Sequence, residues 1–296
     1  MNYAVIGGKV SGDLVIFDLD DPSLLPLLFK TTVDKIMETK LTRLVKTKMG
    51  YHLYFRDKNH VGTGSRDMRN SRTPLLSFDM VIRADHGYVV GPGSLNPDGI
   101  TYEAICDIPP KAVDLRRMMN ELVLPNMGYL VLSRIIEPAY VKGIRYEMTL
   151  ALGTYLYTEM NWDIDRILEF FEFHDKYLEL HNMDKHRSTT IDWLSDRLES
   201  MDKQDLLVGR ALNDDLIREI VKFKPYIEGD RMLMPETYAP AARIQEETAT
   251  EYWFDKANGV AFTDGNLYRL TATDQVSHRK TAPQRPREAD GSREAG

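Results

Sequence analysis

The stretch Asp13-Leu-Val-Ile-Phe-Asp-Leu-Asp-Asp-Pro22 constrains the fold more than any other part of this chain. Its apolar run reads as a strand that ends in two carboxylates and is stopped by Pro22. Side chains alternate faces along a strand, so Asp18 and Asp20 project from the same side of whatever sheet it joins. Two like charges so placed repel, and a bound divalent cation or a shared proton relieves the repulsion. A plainer reading is that Asp20 and Asp21 open a turn before Pro22 while Asp18 is solvated at the strand end.

Composition narrows the setting. With 296 residues, 43% of them hydrophobic, the chain can bury a substantial core as one large domain or two modest ones. There is no apolar run long enough to span a bilayer and no signal-peptide pattern, so a cytoplasmic protein without membrane contact is expected. The single cysteine, Cys106, excludes an internal disulfide and any cysteine-rich zinc site, leaving carboxylate and imidazole as metal ligands. Net charge is −7, yet Lys40, Arg43, Lys46, Lys48, Arg56, Lys58, Arg66, Arg69, Arg72 and Arg83 far outnumber Asp57, Asp67 and Asp79 between Lys40 and Arg83. An anionic partner is expected along that window.

In chain order, residues 2–6 and 13–19 read as a β-hairpin, with Gly7-Gly8 followed by a turn at Val10-Ser-Gly-Asp13. A strand that starts at residue 2 leads to the expectation of a preceding piece to cover its edge. Residues 23–37 carry a helix-like apolar set. Strands are expected over 41–46 and 51–56, joined through Gly50, and His52 shares a face with Tyr54 and Arg56. An arginine-bearing loop over 61–73 precedes a strand at 75–82, which holds Asp79 between Phe78 and Met80. Because an unpaired buried charge is costly, Asp79 is a third candidate for the acidic site. A hairpin turn at 84–87 leads into a return strand at 88–90, a further strand covers 101–104, and Pro109-Pro110 closes the sheet-rich part. Helices are expected over 115–123, 145–157, 164–181, 189–200 and 214–223, with weak strands at 252–254 and 266–270 around Asp264-Gly265. The tail from 277 is charged and nearly free of apolar residues, so disorder is expected there.

The order of these features resembles the primase-polymerase (prim-pol) family of the archaeo-eukaryotic primase superfamily, of the bifunctional DNA primase/polymerase type. Ile16-Phe-Asp-Leu-Asp20 is similar to its first motif and Lys46-Thr-Lys-Met-Gly-Tyr-His-Leu-Tyr-Phe55 to its second. Phe78-Asp-Met80 is similar to its third, followed by Gly87 to Ser94 as the typical hairpin. The resemblance covers residues 2–105 and continues more weakly into Val141-Lys-Gly-Ile-Arg145 and the helices after it.

It implies an α+β fold: a catalytic domain with a mixed or antiparallel, RRM-like sheet and flanking helices, then a smaller helical domain. The expected division is 1–125 catalytic, 126–202 helical, 203–276 a mixed linker or the start of a truncated downstream domain, and 277–296 a tail. The implied activity is template-dependent nucleotidyl transfer, DNA primase or DNA polymerase, in a plasmid or phage replication protein. Two Mg²⁺ or Mn²⁺ ions would be held by Asp18, Asp20 and Asp79, and no zinc is expected. By the same resemblance His52 would contact the phosphates of the incoming nucleotide, and Lys46, Lys48, Arg56 and Arg83 are candidates to neutralise the rest. Single-stranded DNA, NTP or dNTP and a replicative helicase are the expected partners, although no helicase domain is recognised in the chain. Two rival readings stand beside it: a non-catalytic DNA-binding replication scaffold, and a haloacid dehalogenase-like phosphatase, which shares the D-x-D but gives no role to His52 or Asp79.

Overall fold

The computed structural model describes residues 2–59, 64–70, 72–181, 183, 188–200, 212–228, 252–255, 260–263 and 266–269. It divides into one unit over residues 1–249 and a second over 250–296. The architecture is α+β. The first unit opens with β1 (Ala4–Ile6), β2 (Leu14–Leu19), α1 (Leu24–Phe29), α2 (Val33–Thr39), β3 (Leu44–Lys46) and β4 (Tyr51–Asp57). Next come β5 (Arg66–Asp67), β6 (Met80–Arg83), β7 (Tyr88–Val90), β8 (Glu103–Cys106) and β9 (Lys111–Val113).

The main sheet has the order β5-β6-β2-β4-β3-β8, so the aspartate-bearing strand is central. Both neighbours of β2 are antiparallel to it, and their register sets Asp18 opposite His52 on β4 and opposite Val81 on β6. The one parallel pairing, β9 on the second half of β4, makes the sheet mixed. Gly50 is required at the β3–β4 turn: a Cβ there would sit 2.0 Å from the carbonyl oxygen of Leu19, so the two chain segments could not approach.

Three local expectations are corrected. The chain from 2 to 19 is not a hairpin, because β1 pairs with β7 in a separate two-stranded sheet. Left-handed Gly12 and Asp13 turn the chain between them, and an isolated bridge joins Gly8 to Leu14. For the same reason β7 is not the return partner of β6. The helix expected over 23–37 is two helices, broken at Lys30 in the left-handed region and restarted by the Thr32 side chain, which accepts from the Lys35 amide.

Helices follow: α3 (Leu115–Met118), α4 (Leu124–Ile136), α5 (Arg145–Thr158), α6 (Ile164–Leu180), α7 (Ser188–Ser200) and α8 (Asp214–Ile227). A π-helical turn, Met119–Val123, joins α3 to α4. There the Leu124 amide reaches back to the Met119 carbonyl, a wider turn that accommodates Pro125, which has no N–H to give. The sequence pattern around Pro125 reads as a boundary, whereas α4 runs straight through it as the most buried helix of the unit.

One face of the sheet is packed: Val15, Phe17, Leu19, Leu53, Phe55, Met80 and Ile82 join α1, α2 and the helices from α4 onward in a single core. That core is continuous across position 125, where the catalytic and helical segments were expected to divide. On the opposite face only one end is covered, where Leu14, Ile16, Val45, Tyr54 and Val89 form a small second cluster with Val5 from β1. Ser94 is fully buried and its hydroxyl accepts from the Tyr3 amide at 3.1 Å, so the Gly-Pro-Gly-Ser segment ties β1 over that end. The other end of this face is bare of any apolar cluster among the described residues.

The second unit holds β10 (Tyr252–Asp255), β11 (Val260–Thr263) and β12 (Asn266–Arg269), an antiparallel meander. The sequence pattern anticipated its outer strands. The tail expected over 277–296 and the turn at Asp264-Gly265 lie outside the described residues.

Candidate active site

Cross-strand partners in an antiparallel sheet share a face, so the β2 register puts Asp18, His52 and Val81 together, with Ile16, Tyr54 and Arg83 beside them. Just beyond β2, the Asp20 amide donates to the Asp79 carbonyl at 2.8 Å, which extends the ladder by one pair. The side chains of Asp18, Asp20 and Asp79 therefore belong to the bare end of one sheet face. Asp79 is exposed and precedes β6 rather than standing in mid-strand. The argument from a costly buried charge does not hold for it, and its place beside Asp20 is what marks it.

Asp18 is held from two sides. His52 Nε2 lies 3.2 Å from its Oδ1, and an Arg83 guanidinium nitrogen 3.5 Å from its Oδ2. Burial alone raises the Asp18 carboxyl, but the hydrogen bond and charge of His52, with Arg83, outweigh it and hold it below its ordinary value. Asp20 behaves in the opposite way. Burial and then the Asp18 charge push its carboxyl up, with Asp79 adding to the rise and Arg69, whose guanidinium is 3.8 Å away, opposing it.

His52 is a wall of the site more than a projecting group. Its side chain is 4% exposed, with its ring 5.6 Å from that of Tyr102, and its Nδ1 is buried with no hydrogen-bond partner among the described residues. Such a placement holds Asp18 in position. Of the four basic candidates, Arg83 alone touches an aspartate of the trio. Lys48 is exposed at the turn before β4 and paired with Asp98 at 2.7 Å. Lys46 is opposite Tyr51 in register and shares the face of Leu19 and Tyr51, away from the aspartates. Arg56 faces the right side but lies four residues beyond His52, roughly 13 Å along the strand, where it donates to the Ser11 and Gly12 carbonyls.

Two residues join the site that the sequence pattern did not single out. Arg69, on the loop after β5, is held in a fork by Asp67 at 2.8 and 2.6 Å while it faces Asp20. The phenol of Tyr102, just before β8, is pushed up by burial and by the charges of Asp18 and Asp20, so it stays a neutral hydrogen-bond donor. The three aspartates supply hard oxygen donors of the kind that Mg²⁺ and Mn²⁺ take. No three His, Cys, Asp or Glu side chains among the described residues form a ready-made metal cage. The donor chemistry fits such a cation, and Arg69 and Arg83 lie on two of the acids.

No helix among the described residues is long and apolar enough to cross a membrane. No curated protein matches the chain. Residues 1–114 match the family model described as bifunctional DNA primase/polymerase, N-terminal (Prim-Pol). That segment ends at the start of α3 and contains all three aspartates, His52, Arg69, Arg83 and Tyr102, so the match supports a function of the DNA primase/polymerase type for the site just described.

Proposed function

We propose that this protein is a template-dependent nucleotidyl transferase that joins nucleoside triphosphates on a single-stranded DNA template, with Asp18, Asp20 and Asp79 as the ligands of Mg²⁺ or Mn²⁺. The observation that carries the reading is the gathering of Asp18, Asp20 and Asp79 at one end of one sheet face, where the Asp20 amide meets the Asp79 carbonyl at 2.8 Å, and where burial and the charges of Asp18 and Asp79 push the Asp20 carboxyl up. Carboxylates gathered so closely, one of them raised by its neighbours, are relieved by a bound cation. When bound, two such ions would activate the attacking hydroxyl and offset the charge on the α-phosphate.

The chain's own residues divide the rest. His52 keeps one oxygen of Asp18 directed along the face, and because its ring is packed against Tyr102 and Tyr54 it cannot swing away with the substrate. Arg83 and Arg69 neutralise Asp18 and Asp20 before substrate arrives, and both are partly exposed, so each can pass to a phosphate oxygen once cations take the carboxylates. Lys48, at the rim, adds positive potential where a triphosphate would enter.

A second reading is a DNA-binding replication protein without catalysis, and one observation favours it: the arginines on Asp18 and Asp20 are what a purely structural ion-pair network would also present. The two readings part on one experiment. Labelled nucleotide, a primed single-stranded template and Mg²⁺ or Mn²⁺ are incubated with wild type, Asp20→Ala and Asp79→Ala, and template binding is measured in parallel. The transferase reading expects incorporation by wild type, none by either variant, and template binding kept by all three. Template binding by wild type without incorporation in either metal would establish the scaffold.

A further inference from the structure

The segment that ends at Asp79 is held by a residue outside the matched region. Arg134, on α4, donates one guanidinium nitrogen to two carbonyls, that of Leu75 at 3.1 Å and that of Ser77 at 2.7 Å. Its charged carbon lies 5.2 Å from the centroid of the Phe78 ring. One side chain thus engages three of the four residues that lead into Asp79. The same segment fixes the arginine loop: the Ser77 hydroxyl accepts from the Asn70 amide at 3.0 Å, and the Phe78 amide donates to the Met68 carbonyl at 3.1 Å. Arg69 lies between those two anchors.

A partly buried guanidinium is a costly way to brace a loop, since an apolar side chain would fill the space without desolvating a charge. Burial does disfavour the Arg134 cation, while Tyr177, Asp21, Asp79 and Glu137 favour it. Two of those four, Asp21 and Asp79, belong to the acidic end of the sheet. Arg134 therefore does two things an apolar residue could not: it donates to two carbonyls of the segment, and it sets a positive charge near Asp21 and Asp79.

We infer that Arg134 is a positioning residue for the acidic site, fixing Asp79 opposite Asp20 and Arg69 beside them through the Leu75–Phe78 segment. The inference rests on the metal-site reading above. It makes α4 part of the site's machinery rather than of a separate helical module.

The test uses the full chain. Mn²⁺ binding is titrated well below the melting temperature for wild type, Arg134→Met, Arg134→Lys and Asp79→Ala, and amide exchange of residues 76–80 is followed in the metal-free proteins. Arg134→Met is expected to bind Mn²⁺ about tenfold more weakly and to lose protection at Ser77 and Phe78, with Arg134→Lys, which keeps a cationic donor, closer to wild type. Should Arg134→Met fail to fold, Arg134→Gln carries the same comparison. Wild-type Mn²⁺ affinity in the Met or Gln variant, with only a lower melting temperature, assigns Arg134 to packing and overturns the inference. If Asp79→Ala itself binds Mn²⁺ as wild type does, the metal-site reading falls and this inference with it; if Asp79→Ala loses affinity while Arg134→Met keeps it, the inference alone falls.

Discussion

The two faces of the central sheet use the same strands for opposite ends. On the helix-packed face, Val15, Phe17 and Leu19 are buried in the main core, with the Phe17 ring edge-on to Phe29 at 5.0 Å and to Phe55 at 6.1 Å. One residue over, Asp18 and Asp20 look out from the end of the other face that β1 and β7 leave bare. Strand periodicity is what lets adjacent residues do such different work. On the proposed reading, rigidity comes from the packed side and chemistry from the bare one, so a substitution on each should be read out in a different experiment.

Phe17→Ala should give the largest effect: truncating a fully buried aromatic costs about 3 to 5 kcal/mol, seen as a lower denaturant midpoint. At temperatures where the variant stays folded, its Mn²⁺ affinity should change little. A large loss of affinity there would mean the faces are not separable.

Asp79→Ala is the converse. Incorporation should fall by about a hundredfold to a thousandfold, the scale seen when one stabilising group is removed from a preorganised site. The denaturant midpoint should not fall, because the residue is exposed.

A smaller effect is expected for His52→Ala. Asp18 loses a hydrogen bond of a kind worth roughly 1.5 to 3 kcal/mol, so metal-dependent incorporation should drop by about one to two orders of magnitude. Because the ring is buried, the melting temperature should drop too. If only the melting temperature moves, His52 is packing and not support for Asp18.

What could be seen in the sequence follows the same division. The shared side of Asp18 and Asp20, and the face of His52 with Tyr54 and Arg56, are set by strand parity inside one segment and were legible there. Register between segments was not. Lys46 stands near His52 in the sequence, yet its opposition to Tyr51 puts it on the packed side of the sheet. Arg69 reaches Asp20 through a loop whose path depends on Asp67, Ser77 and Arg134, none of them local to the motif. Helix α4 was hidden because Pro125 reads as a stop, and only the π-helical turn before it shows how the chain continues.

The two acids of the first motif also differ in sign, which gives the subtlest contrast. Asp18 is held below its ordinary value, so its contribution to stability is complete above that value and is lost as pH falls through the folded one. Asp20 is raised, so metal-free stability is greater below its ordinary value, about 3.9, and declines as pH rises through the folded one. Urea midpoints from about pH 3 to about pH 7 should therefore show Asp18→Asn less stable than wild type near neutrality and Asp20→Asn more stable. The contrast follows from their partners: Asp18 has His52 at 3.2 Å and Arg83 at 3.5 Å, whereas Asp20 has Arg69 at 3.8 Å.

That asymmetry permits a single direct measurement of the claim that the bare sheet end is a cation site. Thermal unfolding is recorded for wild type and Asp20→Asn, each with and without Mn²⁺. Mn²⁺ should raise the wild-type melting temperature by binding the folded state, whereas Asp20→Asn should melt higher than wild type without metal and gain little from it. An Asp20→Asn variant that melts with wild type in the absence of metal, and then rises with Mn²⁺ by the full wild-type increment, would contradict the account.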